Sequence, residues 1–148
     1  MTADTKRDHQ RMVLVVDDEP SILSILGGVL EQDGFTVDFA QSGEEAIESF
    51  RAEYYSVVIT DVCMGEMSGF DLIEKLSQLD AALKTVVMTG HDSYEMVKNS
   101  LRRGAYDFLP KPLDDHEAIK LCVRRAAQAS ELIRYNHCLL YTSPSPRD

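Results

Sequence analysis

Three acids, a threonine and a lysine stand at the ends of apolar runs in this chain. Asp17 and Asp18 follow Val13-Leu14-Val15-Val16, Asp61 follows Val57-Val58-Ile59-Thr60, Thr89 follows Val86-Val87-Met88, and Lys111 follows Phe108-Leu109-Pro110. Taken singly, each has an ordinary role: acids favour helix starts, a threonine caps a local turn, and a lysine is a common surface residue. Brought together from four strand ends they form a set of carboxylates, a hydroxyl and an ammonium that solvated loops have no reason to produce. Crowded carboxylates repel one another, and a hard divalent cation with oxygen ligands relieves that repulsion. Mg2+ suits such a set better than Zn2+, which favours His and Cys side chains. Cys63, the nearby cysteine, can offer its backbone carbonyl. A carboxylate beside Mg2+, with a lysine and a hydroxyl at hand, is equipped to receive a phosphoryl group.

The elements that would position these residues are legible in the periodicity. Met12–Val16 is a continuous apolar run, as in a strand covered on both faces, and residues 56–60 and 85–89 read the same way. Residues 35–39 and 106–109 alternate apolar with polar, which suits strands at the edges of a sheet. Between these runs lie helical patterns. Pro20 opens one carrying Ile22, Ile25, Leu26, Val29 and Leu30, which Gly27-Gly28 soften and Gly34 closes. Ser42-Gly43-Glu44-Glu45 is a capping box ahead of Ala46, Ile47 and Phe50. Phe70, Ile73, Leu76 and Leu79 mark the third, and Met96, Val97 and Leu101 the fourth, capped by Asp92 or Ser93 and ended by Gly104. A fifth runs from about Asp114 through Ile119, Cys122, Val123, Ala126, Ser130 and Ile133 to about Asn136. Strand then helix, repeated in this way, predicts an α/β fold with a doubly wound, five-stranded parallel sheet and right-handed crossovers. The flavodoxin-like order 2-1-3-4-5 puts the apolar strands at the centre and a crevice at the switch point between strands 1 and 3.

The 148 residues, 44% of them hydrophobic, fit one domain of common size. A net charge of −10 opposes binding to phosphate backbones or anionic lipid, so no direct nucleic-acid or membrane contact is expected. Cys63, Cys122 and Cys138 are scattered, with no metal-ligand spacing, as suits a reducing cytosol. No apolar run approaches membrane-spanning length, and a cytoplasmic location is expected.

The motifs Val15-Val16-Asp17-Asp18-Glu19-Pro20, Val58-Ile59-Thr60-Asp61-Val62-Cys63-Met64, Val87-Met88-Thr89-Gly90 and Phe108-Leu109-Pro110-Lys111-Pro112, in this order and spacing, resemble the receiver domain of bacterial two-component response regulators, the CheY-like superfamily, over roughly residues 11–127. The resemblance implies that Asp61 accepts a phosphoryl group from the phosphohistidine of a sensor histidine kinase or phosphotransfer protein. It also implies that Asp18, Asp61 and the Cys63 carbonyl bind Mg2+ directly while Asp17 holds it through water. Lys111 would pair with the phosphorylated aspartate, a cis bond would join Lys111 to Pro112, and Thr89 would swing toward the phosphoryl oxygens, with Gly90 letting its backbone come close. Phe108 stands where the family keeps its switch aromatic. Output would pass through helix 4, strand 5 and helix 5, with Tyr94, Met96, Arg102, Arg103 and Tyr106 as candidate contacts to an output domain, a partner protein or a second copy in a homodimer.

Two departures from the family pattern matter. Gly65 replaces the usual proline after Met64, which loosens the loop beside the acceptor, and Cys63 and His91 occupy positions that in similar proteins tune water access to the acyl phosphate. A haloacid-dehalogenase phosphatase would carry Asp-x-Asp after its first strand, where Asp17 is followed by Glu19 two residues on; a TOPRIM-like site would carry a second aspartate where Cys63 stands. A third alternative is a pseudo-receiver that only docks. Domain organisation reads as a polar leader over 1–11, a receiver over 12–127, a helical extension over 128–137 toward an output, and a tail over 138–148. The Ser143-Pro144-Ser145-Pro146 stretch of that tail cannot continue a helix and has the look of adapter sequence.

Overall fold

The computed structural model describes residues 12–63, 67–90 and 94–142, with the backbone alone for 94, 96 and 137–142. The polar leader, Gly65, His91, the Asp92 or Ser93 cap and the Ser-Pro repeat fall outside the described residues. Five parallel strands alternate with helices: β1 (Met12–Val16), α1 (Pro20–Gln32), β2 (Thr36–Ala40), α2 (Gly43–Ser49), β3 (Val57–Asp61), α3 (Gly69–Leu79), β4 (Lys84–Thr89), α4 (Tyr94–Arg102), β5 (Asp107–Pro110) and α5 (His116–Thr142). The sheet order is β2-β1-β3-β4-β5, the flavodoxin-like order read from the strand chemistry. Every residue of β1 and β3 is buried, whereas β2 and β5 each expose part of their length at the edges.

Alternation within the strands divides the core into two layers. Val13, Val15, Val57, Ile59, Val86 and Met88 pack on α1 through Leu26 and Leu30 and on α5 through Ile119, Val123 and Ala126. On the other face, Leu14, Val16 and Val58 meet Ala46 of α2 and Leu72 and Leu76 of α3, and Val87 meets Ile73. Each fully buried valine, leucine, isoleucine or methionine among them contributes about 1.5–3 kcal/mol. Among the described residues no helix is long and apolar enough to cross a membrane.

Helix ends follow local chemistry. Pro20 opens α1, and Gly34 follows its end with φ 91°, while the Phe35 N–H returns to the Leu30 carbonyl at 3.0 Å. Ser42 caps α2 by accepting the Glu45 N–H at 3.0 Å, and Glu45 reaches back one residue further than in a strict capping box, to the Gln41 N–H at 2.8 Å. Phe50 is the C-cap of α2 rather than part of it. The boundaries of β2, β3, β4 and β5 shift by one residue from those read in the sequence, so that β3 includes Asp61 itself and β5 starts at Asp107. Helix α5 opens at His116, two residues after the start expected near Asp114, and Asp115 caps it by accepting the Ala118 N–H at 3.1 Å. It continues to Thr142, past the end expected near Asn136.

The pole of the sheet opposite Asp61 is organised by a second buried acid. Asp80, the C-cap of α3, accepts the Glu53 N–H at 2.8 Å, the Ala82 N–H at 3.1 Å, and the Arg134 guanidinium at 2.8 and 3.2 Å. Arg134 also donates to the Tyr55 carbonyl at 2.8 Å, and the Tyr55 hydroxyl donates to Asp38 at 2.6 Å. The bond from Glu53 holds that residue in the left-handed region, at φ 67°, where a non-glycine residue is uncommon. Burial pushes the Asp80 carboxyl up, but the Arg134 bond and charge and the two N–H donors outweigh it and hold its pKa below the ordinary value.

Two glycines of α1 differ in their surroundings. A Cβ on Gly27 would stand 2.7 Å from the Phe39 ring, whereas one on Gly28 would meet nothing within 4 Å. Gly28→Ala is therefore expected to raise stability by about 1 kcal/mol in urea unfolding, and Gly27→Ala to gain less, because the Phe39 ring must move aside. An acid held below its ordinary pKa stabilises the fold above that ordinary value, and the gain is lost as pH falls through the depressed folded value. Asp80→Asn is expected to cost about 3 kcal/mol at neutral pH, and the difference from the unaltered protein should shrink on acidification, as measured by urea midpoints across the acid limb.

Candidate functional site

The carboxyl ends of β1, β3, β4 and β5 bring the predicted residues to one rim. Asp17 directly follows β1, with its N–H on the Ala40 carbonyl at 3.1 Å, and its side chain is 0% exposed. Asp61 ends β3, and the Val62 N–H that follows bonds the Met88 carbonyl of β4 at 3.2 Å. Thr89 ends β4, and its carbonyl accepts the Lys111 N–H at 2.7 Å, which fixes the turn out of β5 beside it. The Lys111–Pro112 bond is cis.

The Lys111 ammonium joins the acids. Its Nζ donates to Asp61 Oδ2 at 3.0 Å and to Asp17 Oδ2 at 3.2 Å, and it stands 3.9 Å from Glu19. Burial works against the Lys111 charge, but the bonds and charges of Asp61 and Asp17 outweigh it, so its pKa is raised and the ammonium persists. For Asp17, burial dominates and pushes the pKa up, opposed by the Glu19 N–H on its Oδ1 at 2.9 Å and by Lys111. The carboxylate oxygens of Asp17, Asp18 and Glu19 lie within 4.8 Å of one another, Asp17 buried and the other two exposed.

The backbone around Asp61 is closely held. The Cys63 N–H reaches Asp61 Oδ1 at 3.3 Å, and the Thr60 hydroxyl donates to the Asp61 carbonyl at 3.1 Å. Gly69, at the start of α3, gives its N–H to the Val62 carbonyl at 2.9 Å; a Cβ there would lie 2.3 Å from the Asp61 carbonyl oxygen. Only a residue without a side chain lets α3 begin this close to the end of β3. Met67 leans on Gly43 at the start of α2, where an added Cβ would meet its sulfur at 2.7 Å. The Cys63 side chain is exposed.

Most of the residues singled out in the sequence meet here, with differences. Asp17, Asp61 and Lys111 form one hydrogen-bonded group; Asp18 lies beside it and faces solvent. Thr89 is buried next to the group, and no hydrogen bond joins it to Asp61. Phe108 is half-buried against Val62, Ile73, Val87 and Ala105, alongside Phe70. A Cβ at Gly90 would meet nothing within 4 Å. Of the proposed contact residues, Tyr94 and Met96 have side chains outside the description. Tyr106 is exposed with Lys84 Nζ 5.8 Å from its ring centroid, and Arg102 is exposed. Arg103 is engaged within the molecule, with Nε 3.1 Å from Glu74 Oε2 and its guanidinium 5.0 Å from the Phe70 ring centroid. Glu19, Thr60 and Gly69 were not singled out as site residues. Glu19 could have been, from its place directly after Asp17-Asp18, whereas Gly69 carries no local signal beyond that of a loop.

The comparisons with known proteins agree with this geometry. Over 102 residues the chain is 38% identical to the transcriptional regulatory protein ZraR of Escherichia coli, a match covering 69% of this chain and 23% of ZraR. It is 32% identical over 127 residues to the C4-dicarboxylate transport transcriptional regulatory protein DctD of Rhizobium meliloti, covering 86% of this chain and 27% of DctD. The chain thus spans about a quarter of the length of these relatives. Among solved structures, a response regulator receiver domain protein of Clostridium thermocellum superposes with a TM-score of 0.74 at 28% identity, covering 82% of this chain and 98% of that one. NtrX of Brucella abortus superposes with a TM-score of 0.79 at 29% identity, covering 86% of this chain and 29% of NtrX. Residues 13–123 match the family of response regulator receiver domains, and with the sheet order and the acid rim already in place, this chain belongs to that family.

Proposed function

We propose that Asp61 is the phosphoacceptor of a signalling switch, receiving its phosphoryl group from the phosphohistidine of a sensor histidine kinase or phosphotransfer protein. The observation that carries this reading is the single ammonium of Lys111 shared between Asp61 and Asp17 at 3.0 and 3.2 Å, at the strand ends where such sheets bind ligands. An Asp61 carboxylate oxygen attacks phosphorus, the new O–P bond forms as the P–N bond breaks, and the imidazole nitrogen leaves with the electron pair. Lys111 is positioned to neutralise the transferring oxygens, and its raised pKa keeps it charged for that task.

A divalent cation fits the donor set. Asp17 and Asp18 offer carboxylate oxygens within 4.8 Å of each other, Lys111 Nζ links Asp17 to Asp61, all these donors are oxygen, and one ammonium supplies too little positive charge to balance three carboxylates. Asp18, Asp61 and the Cys63 carbonyl would hold Mg2+ directly and Asp17 through water. When bound, Mg2+ supplies charge stabilisation to the phosphoryl oxygens. Transfer adds about −2 charge and three acceptor oxygens. Thr89 and Lys111 are the nearby donors those oxygens can recruit, and Phe108 sits against the packing between β4, α3 and β5 that such a movement would bias. The altered surface of α4, β5 and α5 then addresses an output domain, a partner protein or a second copy of the chain. The transcriptional regulators that the chain resembles make transcriptional output the natural reading.

Incubation with a small phosphodonor and Mg2+, followed by intact-mass measurement, is expected to show a gain of one phosphoryl group that Asp61→Asn abolishes. Turnover of generic phosphomonoesters would point instead to a phosphatase, and an unchanged mass to a docking module. Because the exposed Cys63 stands two residues past Asp61, Cys63→Asn is expected to change the decay rate of the phosphorylated protein severalfold without preventing its formation. A time course after removal of the donor measures this.

A further inference from the structure

The buried stripe of α5 runs Ile119, Cys122, Val123, Ala126, Ala127 and Ser130. One helical turn after Ser130 the same stripe presents Arg134, and its neighbours Leu132 and Tyr135 are 62% and 63% exposed. Among the described side chains, fully buried apolar packing therefore stops short of Ser130, with Leu132, Ile133 and Tyr135 exposed, while the helix backbone continues to Thr142. A helix end of a few turns needs contacts with the body to persist in water.

Arg134 supplies what packing does not. Its fork meets both Asp80 oxygens and the Tyr55 carbonyl, and Asp80 in turn holds the loops before β3 and β4 through Glu53 and Ala82. The Asp80 side chain is 5% exposed, so the pair is shielded from the screening that weakens surface ion pairs. Nearer the start of the helix, Arg124 grips Asp33 at the C-cap of α1, with Nε on Asp33 Oδ2 at 2.7 Å. Among the described residues α5 is thus tied to the body by two arginines, and of the two it is Arg134 that lies past the apolar stripe.

We propose that Arg134 is a latch that registers the outgoing end of α5 on the pole of the sheet opposite Asp61, so that the helix continues past its last buried residue as a rigid rod. The latch fixes the direction in which the chain leaves the domain. A lysine cannot replace the fork, because one ammonium cannot meet both carboxylate oxygens and the Tyr55 carbonyl in the same planar geometry.

Hydrogen exchange read by mass spectrometry on the whole chain at neutral pH tests this. In Arg134→Ala, amides of residues 131–142 are expected to exchange about 10- to 100-fold faster, with those of β1 and β3 unchanged. Arg134→Lys should fall between the two, and Tyr135→Ala, which removes an exposed side chain from the same turn, should match the unaltered protein. The proposal is overturned if residues 131–142 are already unprotected in the unaltered protein, if Arg134→Ala leaves them unchanged, if Tyr135→Ala gives the same rise, or if the rise spreads through β1 and β3. No phosphodonor is present, so the outcome is independent of the role of Asp61.

Discussion

The rim of this domain depends on one ammonium. Two carboxylates at neighbouring strand ends, one of them fully buried, would repel each other strongly in a medium of low effective dielectric. Lys111 stands between them, and the backbone helps to keep it there: its N–H is bonded to the Thr89 carbonyl at the end of β4. Burial still pushes the Asp17 pKa up, against the Glu19 N–H and the Lys111 charge.

The architecture was legible because a covered parallel strand and an edge strand write different patterns. Met12–Val16 has no polar residue and lies in the interior, whereas Thr36 and Asp38 alternate with Val37 and Phe39 and lie at the rim of the sheet. The strand ends then located Asp17, Asp61, Thr89 and Lys111 with no knowledge of contacts. The placement of these residues follows from topology, since all strands of a parallel sheet finish on the same side.

What escaped the sequence depends on contacts between distant segments. Arg134 looks like one more surface cation until it is placed against Asp80, 54 residues earlier in the chain. Gly69 marks a loop in the sequence, but its necessity comes from the Asp61 carbonyl that lies where its side chain would be. Arg103 is a related case: its charge suggests availability to a partner, yet it is already committed to Glu74 and Phe70 across the α3–α4 boundary.

Asp80 and Asp61 are both acids at the margins of the same sheet, and they are opposite in kind. Each oxygen of Asp80 accepts two bonds, from the Ala82 N–H and Arg134 on one side and from the Glu53 N–H and Arg134 on the other, so it has no capacity left to take a new partner. Among the described residues Asp61 holds one amide and one ammonium, half the number of bonds that Asp80 accepts. A molecule built this way has a saturated end and an unsaturated end, and chemistry at the second can proceed against a frame of reference that the first does not let go.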